Sequence, residues 1–101
     1  MQIILNHETG VVFNAVTVRT GDSYGLDSCL THDDARPMIE FYDARYPHTK
    51  HGQFVARYYV STLREHIERG PHGLCLYGGE PDWNIDAAGM RTVAALIDTI
   101  V

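Results

Sequence analysis

Residues 11–19 read VVFNAVTVR, and this run constrains the fold more than any other in the chain. Side chains of a strand alternate between two faces. Here Val12, Asn14, Val16 and Val18 share one face, and Val11, Phe13, Ala15 and Thr17 share the other. Both faces are largely apolar, the pattern of a central strand covered on each side. Residues 2–6 are also rich in β-branched side chains, and His7-Glu8-Thr9-Gly10 supplies a turn, so the N-terminus reads as a hairpin.

The remaining elements follow in order. Thr20-Gly21-Asp22-Ser23 breaks the second strand. Residues 24–30 read as a short strand ended by Thr31-His32-Asp33-Asp34, with a single helical turn from Asp33 as the competing assignment. Residues 38–43 form the next strand, with Ile39 and Phe41 on one face and Glu40 and Tyr42 on the other.

A helix is expected over residues 52–69. Phe54, Val55, Tyr58, Tyr59, Thr62, Leu63 and Ile67 recur at three- and four-residue spacing, Thr49 is in place as an N-cap, and Gly70-Pro71 is a stop. The β-branched and aromatic content of residues 54–60 keeps a strand open as the alternative. Two short strands, residues 72–77 and 82–85, flank the turn Gly78-Gly79-Glu80-Pro81. Asp86 then caps a helix over residues 87–100, where Met90, Val93, Ala94, Ile97 and Val101 repeat with helical period. This order predicts an α+β two-layer domain, a mostly antiparallel sheet with two helices on one face.

Composition sets the outer limits. A chain of 101 residues with 45% hydrophobic and 21% charged residues is one domain able to build a core without disulfides, metals or a cofactor. Cys29 and Cys75 lie 46 positions apart and match no zinc or redox spacing. The first residues lack a charged segment followed by a long apolar one, and the longest aliphatic run, residues 93–97, is too short to span a bilayer. The expectation is a cytoplasmic protein with reduced thiols and no membrane contact.

Chemistry is concentrated in residues 41–63, FYDARYPHTKHGQFVARYYVSTL, which hold six of the ten aromatic side chains. Residues 44–64 carry +4 with no acid, leaving −9 for the rest of a chain whose formal charge is −5. That balance argues against a nucleic-acid-coating protein, whose domains are usually basic overall. A small anion is compatible with it, seated at a helix start near Gly52 with Lys50, Arg45, His48 and His51 in the loop before it. Tyr42 and Tyr46 offer rings for stacking. Arg57 and Arg64, seven apart, extend the basic side, although Glu68 lies four after Arg64 and pairs with it at helical spacing.

Catalytic patterns are weaker. His48-Thr49-Lys50-His51 lacks the glutamate and the four-residue spacing of a zinc-protease helix. Cys29, His32 and Asp33 are sequence neighbours, whereas working Cys–His pairs are assembled by the fold. Glu80 and Asp82 beside Trp83 suit a sugar site in outline, but turn chemistry and a buried indole explain them more simply. No phosphate-binding glycine loop and no nucleophile elbow occurs.

The segments FYDARYPHT, HGQFVARYYVSTL and GLCLYGGEPDWNID resemble small uncharacterised proteins carried by plasmids, phages and integrated mobile elements. The resemblance covers residues from Met38 to the C-terminus, and no catalytic residue travels with it. It implies a protein that acts by binding host or defence proteins. The expected function is therefore a non-enzymatic interaction module with a protein partner. Its contact residues are Tyr42, Arg45, Tyr46, His48, Lys50, His51 and Arg57, since tyrosine and arginine dominate interface energetics. The acidic remainder offers a second face for a basic partner. The small-anion binder is the alternative.

Overall fold

The structure is a computed structural model that describes residues 2–19, 37–70, 72–76 and 82–100. The expected strand at 24–30, the turns at 31–34 and 78–81, and Cys29 lie outside the described residues.

Four strands, β1 (Gln2–Leu5), β2 (Val12–Arg19), β3 (Pro37–Asp43) and β4 (Gln53–Tyr59), form one antiparallel sheet in chain order. The β1–β2 turn is built by Asn6. Its side-chain oxygen accepts from the amides of Glu8 (2.9 Å) and Thr9 (3.1 Å), and Gly10 at φ 78 closes the loop with an N–H to the Asn6 carbonyl. Helix α1 (Val60–Glu68) follows β4 without a loop. A short antiparallel pair, β5 (Leu74–Cys75) and β6 (Asn84–Ile85), leads into α2 (Ala87–Asp98). The architecture is α+β, as the order of elements predicts.

The inner face of the sheet is the core. Ile4, Phe13, Ala15, Ile39 and Phe41 are buried on it, and Val60 and Leu63 of α1 and Met90, Val93 and Ile97 of α2 pack against them. Leu76, Trp83 and Ile85 from the β5–β6 segment complete the cluster. Asp86 caps α2 by accepting from the Gly89 amide at 2.8 Å, as the sequence predicts.

The helix expected over residues 52–69 is corrected in its first half. Residues 53–59 are β4, and the helix begins eight residues later, at Val60. A β-bulge explains why the spacing misled. The β3–β4 register shifts between Phe41 and Tyr42, so Val55 and Ala56 are both buried where a regular strand would bury one of them. Tyr58 then packs against the core while Phe54 and Arg57 lie in register with outward residues. One extra residue turns a two-residue step into a three-residue one, and the outward Phe54 and Tyr59 add four-residue gaps to the inward Tyr58 and Val55, so two faces of a strand together imitate one face of a helix. The anion seat at Gly52 loses its basis with that helix. Gly52 instead ends a tight turn at φ 120, where a Cβ would collide with the Asp43 carbonyl oxygen. No helix among the described residues is long and apolar enough to cross a membrane.

Candidate functional site

The β3–β4 loop is anchored by an acid facing the core. Asp43 is in phase with Ile39 and Phe41 on β3 and has no exposed surface. Its carboxylate accepts from the Arg45 amide (2.9 Å), from Arg45 Nε (3.1 Å) and Nη2 (2.8 Å), and from the Trp83 indole N–H (2.7 Å). Arg45 Nη1 also donates to Asp82 Oδ2 at 2.7 Å, tying the loop to the segment that enters β6. Burial pushes the Asp43 carboxyl up, but the Arg45 and Trp83 hydrogen bonds and the guanidinium charge outweigh it and hold the group below its ordinary value. The same two acids raise Arg45 above its usual range. The guanidinium lies 5.1 Å from the centre of the Tyr46 ring.

Beyond Tyr46 the loop turns back on itself. Thr49 and Gly52 exchange backbone hydrogen bonds at 3.1 Å, the Thr49 hydroxyl donates to the Gly52 carbonyl, and the Asn14 amide donates to the His51 carbonyl at 2.6 Å. His48, Thr49 and Lys50 are left at the exposed tip.

The sheet's outer face carries the second group. Register places Ile3, Asn14, Tyr42 and Phe54 in one row across all four strands, with Leu5 and Val12 on one side and Val16, Glu40 and Arg57 on the other. Glu40, 3% exposed, accepts from Arg57 Nε (3.0 Å) and from the Tyr42 hydroxyl (2.9 Å). The Tyr42 ring meets His51 at 5.2 Å and Phe54 edge-on at 5.7 Å, and the Arg57 guanidinium lies 5.6 Å from the Phe54 ring centre. The ends of the row are open: Ile3 is 59% and Phe54 42% exposed, with Leu5 beside Ile3 at 37%.

The seven residues singled out by sequence therefore divide. Tyr42, His51 and Arg57 meet on the outer face, Arg45 and Tyr46 pack together at the loop base, and His48 and Lys50 stand at the loop tip. The basic window does not form one positive surface, because Arg45 is neutralised by Asp43 and Asp82 and Arg57 by Glu40. Among the described residues, no group of three or more His, Cys, Asp or Glu is placed to hold a metal ion. Sequence reasoning missed Glu40 and Asp43 as partners of these arginines. For Asp43 the signal was present, since an acid in phase with Ile39 and Phe41 must be buried and a buried acid requires donors; Glu40 alternates onto the other face, and its burial follows from no local pattern.

Comparison with protein-family models, with curated proteins and with solved structures finds no match for this chain.

Proposed function

We propose that this chain is a non-enzymatic interaction domain that binds a protein partner in the cytoplasm through the outer face of its sheet. The observation that carries this reading is the row Ile3–Asn14–Tyr42–Phe54, open to solvent at both ends and flanked by Leu5. Ile3 and Leu5 on β1 and Phe54 on β4 are the large apolar side chains left exposed among the described residues, and all three face the same side of the sheet, which supports reading that side as a contact surface. Tyr42 is itself buried, 7% exposed, its hydroxyl bonded to Glu40 and its ring held by His51 and Phe54, so it forms a fixed floor between the exposed ends, which are the side chains a partner would touch. His48 and Lys50 at the loop tip add a polar rim with positive charge, which suits an apolar partner segment bordered by acids. Arg45 and Tyr46 belong to the support of the loop. The resemblance to small uncharacterised mobile-element proteins implies a binding role of the same kind.

A pull-down from host lysate, comparing the wild type with an Ile3→Glu/Phe54→Glu variant, tests it. The variant should keep its thermal midpoint and lose the captured protein, since central interface residues contribute on the order of 2 kcal/mol each. Unchanged capture by the variant would overturn the assignment of this face.

A further inference from the structure

On the opposite side of the molecule, a cleft of about 340 Å³ lies between the end of α1 and the first two turns of α2. Its size reaches the range of small-molecule sites. Its floor and walls are Ile67, Ala87, Met90 and Ala94, and its mouth is Arg91 and His72. Positions 87, 90, 91 and 94 share one stripe of α2 at helical spacing, and alanine methyls at both ends of that stripe leave the space between the helices unfilled.

The opposite wall is held in place. His66 Nε2 bonds the Gly73 carbonyl at 3.0 Å, and the His66 and His72 rings meet edge-on at 6.4 Å. Gly70 runs at φ 136 directly under the His72 ring, where a Cβ would sit 3.1 Å from Nε2.

Among the residues that line the cleft, the charged side chain is Arg91. Arg91 is exposed and has no ion-pair partner among the described residues, whereas Arg45, Arg57 and Arg69 are each paired. Asp86, adjacent to Ala87, is occupied by the amides of His7 and Glu8 and by the α2 cap. An apolar cleft with an unpaired guanidinium at its rim is complementary to an amphipathic anion.

We propose that this cleft binds a small organic anion with an apolar body, a monocarboxylate, with the body against Met90 and Ile67 and the carboxylate at Arg91. The site is separate from the outer sheet face and does not depend on it. Titration of the ¹⁵N-labelled chain with octanoate, followed by NMR, tests the proposal. Octanoate should give saturable shifts at the Gly70, His72, Ala87 and Ala94 amides, and octylammonium of the same length should bind about tenfold more weakly, as expected for loss of a charge-assisted contact. Ala94→Trp, which fills the cleft, should abolish the shifts. Arg91→Glu, on an exposed position that does not burden the fold, should weaken octanoate about tenfold and reverse the preference between the two probes. Equal binding of both probes, octanoate binding unchanged in Arg91→Glu, or no saturable shift at these amides would each overturn it.

Discussion

Trp83 donates its indole N–H to a carboxylate with no access to solvent, and this bond explains why a tryptophan stands next to Asp82. Trp83→Phe keeps the ring's packing and removes only the donor. The lost bond to buried Asp43 should lower stability by about 1–3 kcal/mol in urea unfolding, and a loss below a few tenths would show that the N–H bond is immaterial. Protonation tests the same network. Asp43 and Asp86 are both held below the ordinary carboxylate value: burial opposes this in each case, but the Arg45 and Trp83 donors outweigh it at Asp43, and the Gly89 and His7 donors at Asp86. Groups of this kind contribute stability above the unfolded carboxylate pKa of about 4 and lose it as pH falls through the folded value. Unfolding free energy should therefore stay level from neutral pH to about pH 5 and decline below it. The decline should be shallower in Asp43→Asn; an equally steep profile in that variant would exclude Asp43 as a source of acid sensitivity.

Among the elements, α2 and β4 show opposite relations between pattern and outcome. The stripe of Met90, Val93 and Ile97 is buried in a helix with the predicted side-chain cap. Gly89, inside that helix, looks like a weakness, since alanine is favoured over glycine there by about 1 kcal/mol. At this position, however, a Cβ would lie 2.7 Å from both the Leu5 carbonyl oxygen and Ile85 Cγ2. Overpacking costs typically 1–3 kcal/mol, so Gly89→Ala should lower the thermal midpoint despite its better propensity. A raised midpoint would show that β1 and α2 can separate without loss. In β4 the same kind of periodicity belongs to a bulged strand. Gln53–Tyr59 finds backbone partners along β3, and the Gly52 turn delivers the chain there without a crossover.

For the whole molecule, the two sides of the sheet have different duties, and truncations should separate them. Leu63→Ala on α1, where the side chain is 1% exposed, should cost about 2–5 kcal/mol. Ile3→Ser on the outer face should stay within about 0.5 kcal/mol of the wild type. Both values are read from denaturant midpoints, and a large cost for Ile3→Ser would mean that this side chain serves the fold rather than a surface.

Whatever depends on neighbours a few positions apart could be read from the sequence: the His7–Gly10 turn, the strands of residues 11–19 and 38–43, the Asp86 cap, the stripe of α2 and hence the α+β class. Burial period and capping chemistry are local, so they are legible in one dimension. Tertiary structure alone decided the rest. It turned residues 53–59 into a strand because β3 was there to pair with them, and it matched Arg45 to Asp82 and Arg57 to Glu40 across distant positions, dissolving a basic window into internal ion pairs. It also set Ile3, Asn14, Tyr42 and Phe54 in one row. A row across four strands is a matter of register, and register is fixed by turns and a bulge whose effect appears only when the strands meet.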